Sequence, residues 1–155
     1  MSSNSISSIF ECMECIFCNI KNQKAEAEII FEDENILAFL DIQPVNFGHT
    51  LVIPKNHYDN FLTVPKDELH KLIHATQFIA GIIKRSLNAD GFNVISNNGN
   101  SAGQSVFHFH FHIIPRFNQD FTLKPALKSY GGGSMQEYGN QIRSFISKYK
   151  DIYNG

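Results

Sequence analysis

Between Val106 and Ile114 the chain alternates strictly: Phe107-His108-Phe109-His110-Phe111-His112-Ile113. On a β-strand successive side chains point to opposite faces, and same-face neighbours lie about 6.6–7 Å apart. Phe107, Phe109, Phe111 and Ile113 are therefore expected to point into a core, with His108, His110 and His112 in a row on the other face. Such a row suits three chemistries. It can supply ligands to a catalytic metal, it can switch charge with pH, or one imidazole can attack phosphorus while its neighbours hold phosphate oxygens. The preceding loop, Asn97-Asn98-Gly99-Asn100-Ser101-Ala102-Gly103-Gln104-Ser105, favours the third. Its glycines let backbone amides approach an anion closely. Asn97, Gln104 and Ser105 add neutral donors, so phosphate can be held without a cationic patch.

The cysteines form a second cluster, Cys12, Cys15 and Cys18, all within seven positions. An odd, crowded set is a poor disulfide framework. A Cys-x-x-Cys pair reads as a redox motif or a metal clip. The redox version follows a strand in a thioredoxin-like unit, and nothing upstream of Cys12 is long enough to be that strand. A metal clip is favoured, provided two further ligands exist.

The elements that must position these groups follow from length and pattern. At 155 residues the chain is about one domain. A net charge of −2 argues against a nucleic-acid polymer as partner, though not against a nucleotide-sized ligand. A hydrophobic fraction of 43% with 18% charged residues is globular composition. No apolar run approaches the ~20 residues of a membrane span, so no membrane partner is expected. The Ser-rich start lacks the charge and apolar core of a signal peptide; with its clustered cysteines, the chain is expected to be cytoplasmic or nuclear.

Residues 1–11 read as a disordered leader and 12–155 as a single domain, with a variable tail from about 118. Ala27–Phe31, Ile36–Leu40, His49–Ile53, Phe92–Ser96 and Val106–Ile114 read as five strands, the third closed by Pro54 and the fifth by Pro115. One amphipathic helix is expected over Pro65–Leu87, with Asp67 and Glu68 in the first turn where the helix dipole favours them. A second, over Met135–Tyr149, carries Tyr138, Ile142, Phe145, Ile146 and Tyr149 on one face. Short strands with segregated helices imply an α+β fold with a mainly antiparallel sheet. His70 and His74, at i and i+4 on the first helix, read as solvated surface.

The segment Gly103 to Ile114 resembles the signature of the histidine triad (HIT) superfamily, His-φ-His-φ-His-φ-φ with φ apolar. Phe39-Leu40-Asp41-Ile42 and the block from Gly48 to His57 are similar to its upstream motifs. The likeness is closest to the Hint-type branch, among members that open with Cys-Ile-Phe-Cys, here Cys15 to Cys18, and it covers about Cys15 to Phe117.

The resemblance implies a HIT-like fold: about five antiparallel strands and two main helices, with the sheet continued across a homodimer. It also implies hydrolysis at the α-phosphorus of a nucleotide. His110 would be the nucleophile, forming a nucleotidyl-histidine intermediate; His112 would hold the phosphate and assist the leaving group, and His49 would support the row from the side. Asn97, Gly103, Gln104 and Ser105 would bind phosphate oxygens. Asp41 would accept both ribose hydroxyls, and Ile16, Phe17, Ile20, Phe39 and Ile42 would line a purine base. A structural zinc would sit on Cys15, Cys18, His57 and His108, a closed Cys₂His₂ set. The chemical step itself would need no metal, and Cys12 is surplus to the set.

Two departures matter. Animal-type Hint proteins end soon after the triad with a Trp-Pro-Pro-Gly segment, whereas this chain has no Trp and a longer tail through Gly131–Gly133. This leaves the leaving group open among phosphoramidates, dinucleoside polyphosphates and acyl-adenylates. His112 in place of a Gln separates the chain from the branch that transfers nucleotidyl groups to sugars. The main expectation is a phosphoramidase that releases a nucleoside 5′-monophosphate. The alternatives are a dinucleoside polyphosphate hydrolase and a non-catalytic purine-nucleotide-binding module acting through protein partners. A catalytic zinc on the triad is the weakest reading, since the Cys pair offers a better metal site.

Overall fold

A computed structural model describes residues 15–118, 120 and 128–154. The leader expected over 1–11 and Cys12 lie outside the described residues. The chain divides into two compact units, one ending at 121 and the other beginning at 122. Among the described residues no helix is long and apolar enough to cross a membrane.

The first unit is a five-stranded antiparallel sheet. Strands β1 (Ile29–Glu32), β2 (Ile36–Leu40), β3 (Thr50–Pro54), β4 (Gly91–Ile95) and β5 (Phe111–Arg116) lie in the order β1-β2-β3-β5-β4. Helix α1 covers Ile16–Lys21 and helix α2 covers Lys66–Ser86. A short 3₁₀ turn, Asn100–Ala102, interrupts the loop between β4 and β5.

The central strands are nearly continuous apolar runs because both faces of the sheet are covered. Ile36, Ala38, Val52 and Ile113 pack against Leu72, Ala75, Ile79 and Ile83 of α2, together with Phe109. The alternate residues Leu37, Phe39, Leu51 and Ile53 pack against Phe17 and Ile20 of α1. Helix α1 has no counterpart among the elements expected from the sequence. Its six residues are too few to show a period, and burial of Phe17, Cys18 and Ile20 against the sheet holds it instead.

The fifth strand differs from expectation at both ends. It begins at Phe111 instead of Val106, and Pro115 lies inside it. Ladder pairing with β3 runs only from Val52↔Phe111 to Thr50↔Ile113, while β4 continues to pair as far as Gly91↔Arg116. The Pro115 carbonyl accepts from the Asn46 side chain at 2.8 Å, on the side away from β4, so the missing Pro N–H costs no ladder bond. Before Phe111 the chain has left the sheet, and the alternation no longer dictates burial. Phe107, expected in the core, is 43% exposed, whereas Phe109 is completely buried.

In the second unit, helix α3 (Ser134–Asn154) is longer than the helix expected there. Its apolar stripe, Met135, Tyr138, Ile142, Phe145, Ile146 and Tyr149, is exposed.

Candidate active site and metal centre

Helix α1 brings the Cys pair to the sheet. Cys15 is its N-cap and Cys18 lies one turn on, completely buried. Facing them are His57, just past β3, and His108. Cys15 Sγ lies 3.6 Å from His108 Nδ1, and Cys18 Sγ lies 3.4 Å from His57 Nδ1 and 3.7 Å from His108 Nδ1. All four donor atoms fall within 4.8 Å of one another. A tetrahedral zinc at about 2.3 Å from sulfur and about 2.0–2.1 Å from nitrogen sets the S···N edge near 3.6 Å. The group therefore has the size of a four-coordinate thiolate–imidazole site.

Second partners aim both imidazoles. His108 Nε2–H donates to the Pro54 carbonyl at 2.8 Å, leaving Nδ1 as a lone pair towards the sulfurs. That carbonyl is open to His108 because β5 pairing with β3 stops short at Val52. His57 Nε2 lies 3.3 Å from Asp59 Oδ1, so its Nδ1 also faces the cysteines. Such outer partners set the tautomer of a metal-binding histidine. The residues present fit a structural zinc or a similar thiophilic cation.

The rest of the row is oriented by the same logic. His110 Nδ1–H donates to the His108 carbonyl at 2.6 Å, which leaves Nε2 with a lone pair. The Val45 amide donates to His49 Nδ1 at 3.2 Å, so His49 carries its proton on Nε2 and donates it to His112 Nδ1 at 2.9 Å. His112 then presents Nε2–H. One imidazole thus offers a lone pair and its neighbour offers a proton, with ring centroids 4.8 Å apart.

Burial keeps these rings neutral. It pushes His112 down to about 4, with further lowering from His110 and His49. His110 and His49 are also lowered by burial, although Asp41 pulls both the other way. His108 is brought to about 4, chiefly by burial.

Asp41, His49 and His112 form a second cluster of potential ligand atoms. It reads better as a hydrogen-bonded histidine pair beside a carboxylate than as a metal clip. Asp41 Oδ2 sits 3.7 Å from His49 Nε2, the nitrogen that bears the proton, and the His112 Nδ1 lone pair already receives it.

A cleft of about 290 Å³ opens in front of His110 and His112. Of the residues expected to bind nucleotide, it gathers Ile16, Phe17, Ile20, Phe39, Asp41, Ile42, Ser105 and His112 on its walls. Phe17 meets Phe39 edge-on at 5.3 Å and His110 at 5.2 Å, forming the wall between the apolar end and the histidines. Ile42 is at the rim, 90% exposed. Asp41 holds an Asx turn, its Oδ1 accepting from the Gln43 amide at 2.8 Å. Leu51 and Val106 also line the cleft, though sequence reasoning missed them; nothing in a core-strand Leu or a loop Val marks a ligand contact.

Asn97, Gly103 and Gln104 are not on the cleft wall. Gly103 has φ +84°, a left-handed conformation that favours glycine, and Asn97 lies beside it. Gln104 is buried, its side chain spent on backbone groups of Gly99, Asp59 and Val106.

An antiparallel sheet with a largely buried row of tautomer-fixed histidines, facing a cleft with an apolar end and backed by a Cys/His group, defines a class of small single-sheet proteins. The HIT domain family matches residues 22–119, and the chain belongs to that family. An uncharacterised HIT-like protein of Methanocaldococcus jannaschii is 51% identical over 106 residues, 68% of this chain and 81% of that protein. An adenylylsulfatase of Arabidopsis thaliana is 36% identical over 107 residues, 69% of this chain and 54% of that protein. The crystal structure of a Zn-bound histidine triad family protein from Mycobacterium smegmatis superposes with a TM-score of 0.67 at 37% identity, covering 91% of this chain and 99% of that one.

Proposed function

We propose that this protein is a nucleotide-binding hydrolase. It cleaves nucleoside phosphoramidates at the α-phosphorus through a nucleotidyl-histidine on His110 and releases a nucleoside 5′-monophosphate. The observation that carries the reading is the bond from His110 Nδ1 to the His108 carbonyl, which commits the Nε2 lone pair to the cleft beside the His112 proton.

His110 Nε2 attacks phosphorus as the P–N bond of the nitrogen-protonated substrate breaks and the amine leaves neutral, while His112 Nε2–H holds the phosphate by a hydrogen bond as the bond breaks. Water then attacks phosphorus, its proton is released to solvent, and the bond to His110 breaks to free the monophosphate. Splitting one displacement into two lowers each barrier. Ile16, Phe17, Ile20, Phe39 and Ile42 hold a purine base and Asp41 the ribose hydroxyls. Ser105 faces the phosphate, and Asn97 and Gly103, which lie off the cleft wall, shape the loop that carries it. Zinc on Cys15, Cys18, His57 and His108 is structural and fastens α1 to the histidine segment.

β4 is an edge strand with Phe92, Val94 and Ile95 exposed, which supports a homodimer joined through that edge. Reduced cysteines at the metal group fit a reducing compartment such as the cytoplasm. A second reading, cleavage of adenosine 5′-phosphosulfate, is favoured by the Arabidopsis relative and places sulfate where the amine leaves.

The deciding assay compares adenosine phosphoramidate, a dinucleoside tetraphosphate and adenosine 5′-phosphosulfate at equal concentration. Fastest release of AMP from the phosphoramidate is expected. A preference for either other substrate reassigns the leaving group, and AMP binding without turnover of any makes the protein a binding module.

A further inference from the structure

The loop after β3, residues 57–63, carries one metal ligand and lies against the loop 97–105. Gln104 joins them. Its Nε2–H₂ group donates to the Asp59 carbonyl at 2.6 Å and to the Val106 carbonyl at 3.1 Å, while its Oε1 accepts from the Gly99 amide at 2.8 Å. The Gln104 amide returns the bond to the Gly99 carbonyl at 3.1 Å, closing a ring across the base of the loop. Asp59, whose main chain takes one of these bonds, uses its carboxylate on His57 Nε2. The two loops are further pinned by the Phe61 amide donating to Asn98 Oδ1 at 2.7 Å.

Gln104 is 4% exposed, and its side chain has both donor bonds and an acceptor bond made inside the protein. An amide so engaged has no proton to offer a ligand without breaking one of these bonds, and leaving a buried amide group unpaired is costly. Its role is to position the loop.

We propose that Gln104 is a positioning residue that couples the metal centre to the phosphate loop, so that metal binding and nucleotide binding strengthen each other. This rests on the reading that the cleft takes a nucleoside phosphate and the Cys/His group a zinc ion. When His57 is held by metal, Asp59 is held with it, and the Asp59 carbonyl fixes the edge of the loop through Gln104. Without the metal, His57 and Asp59 are released, and the loop loses the support that fixes its backbone for an anion. Linkage requires the converse: bound nucleotide tightens the metal by the same factor.

The test titrates AMP calorimetrically into zinc-loaded and chelator-stripped wild type. Zinc affinity is measured against a chromophoric chelator with and without saturating AMP. Zinc is expected to tighten AMP by about tenfold and AMP to tighten zinc equally. In Gln104→Ala both ligands still bind, but both factors fall to within about twofold of unity. A wild-type factor in Gln104→Ala overturns the proposal. Where circular dichroism shows that stripping unfolds the protein, the comparison is made between the zinc-loaded forms. There, Gln104→Ala should keep one zinc per chain, expose the Gly99 amide to hydrogen exchange and bind AMP about tenfold more weakly. Unchanged exchange at Gly99 or unchanged AMP affinity overturns the proposal. Wild type that binds no AMP, or no zinc, removes the parent reading before Gln104 is touched, and the coupling falls with it.

Discussion

His110 donates its Nδ1 proton to the carbonyl oxygen of His108 across 2.6 Å, while the ring of that same His108 turns Nδ1 towards the sulfurs of Cys15 and Cys18. One residue thus faces the metal group through its side chain and orients its neighbour through its backbone. Because His108 is also anchored at Nε2 by Pro54, its peptide cannot rotate without disturbing these side-chain contacts. The aim of the His110 lone pair is therefore set by main chain that the Cys/His group pins in place.

Replacing His110 by Ala should remove turnover and spare binding. If His110 is the nucleophile, its loss leaves the rest of the cleft wall in place, so kcat is expected to fall by at least about a thousandfold with AMP affinity little changed. Rapid-quench mass spectrometry of wild type should show a nucleotidyl adduct on His110. Retention of more than a tenth of wild-type kcat by His110→Ala would sink the assignment.

The metal group makes a separate prediction. Cys15→Ser and Cys18→Ser should each lose most of the bound zinc and lower Tm, since metal binding in such sites is folding free energy. Cys18 should cost more, being wholly buried between both imidazoles. Cys12→Ser should keep one zinc per chain by elemental analysis; loss of metal in that variant alone means that the ligand set is wrong.

His49 acts through His112. The His49→Ala change deletes the donor to His112 Nδ1 and should lower kcat/KM by about tenfold, the worth of one hydrogen bond near 1.4 kcal/mol. His49→Gln retains an N–H donor and should recover part of the loss. Equal activity of all three proteins would show that the His112 tautomer does not depend on His49.

The legible parts of this molecule are those with a short-range pattern. The row His108, His110 and His112 can be read directly as a contiguous pattern, although only His112 lies on β5, and β2 and β3 can be read as short apolar runs bounded by turn residues. Helix α2 is legible because its 21 residues sustain an amphipathic repeat. Helix α1 is not: six residues make too short a period, and its burial against Leu37 and Phe39 depends on strands distant in sequence. The exposure of Phe107 is hidden for the converse reason, since its alternation persists where the sheet does not. The Gln104 contacts are illegible because they run to backbone atoms, which every residue type shares.

Asp41 gives a ligand-side prediction. If its carboxylate takes the ribose hydroxyls, Asp41→Asn should weaken AMP more than 2′-deoxy-AMP and abolish any wild-type preference between them, which calorimetry can read directly. An unchanged ribose preference in Asp41→Asn would confine Asp41 to its turn with Gln43 and its contact with His49.

Acid should act on the protein through His112. Burial first, then the neighbouring His110 and His49, hold its folded value at about 4 against 6.5 in the unfolded chain, and the carboxylate of Asp41 only partly offsets them. Between those values the unfolded state binds the proton and the folded state does not, so stability must rise with pH. The contribution is full above about pH 6.5 and is lost as pH falls towards 4. Lowering pH from about 7.5 to about 5.5 should therefore cost about 1 kcal/mol through this group, a few degrees in Tm. Comparing wild type with His112→Asn isolates the effect, because the substitution removes this one imidazole and leaves the rest of the chain unchanged. Wild type should lose more Tm than the variant over that range. Turnover should follow the same sense: His110 is also lowered, so the acid limb of kcat/KM should have its midpoint below 6.5. Parallel loss of Tm in the two proteins would mean that His112 does not carry the acid sensitivity, and a midpoint above 6.5 would mean that His110 is not the group whose neutrality the reaction needs.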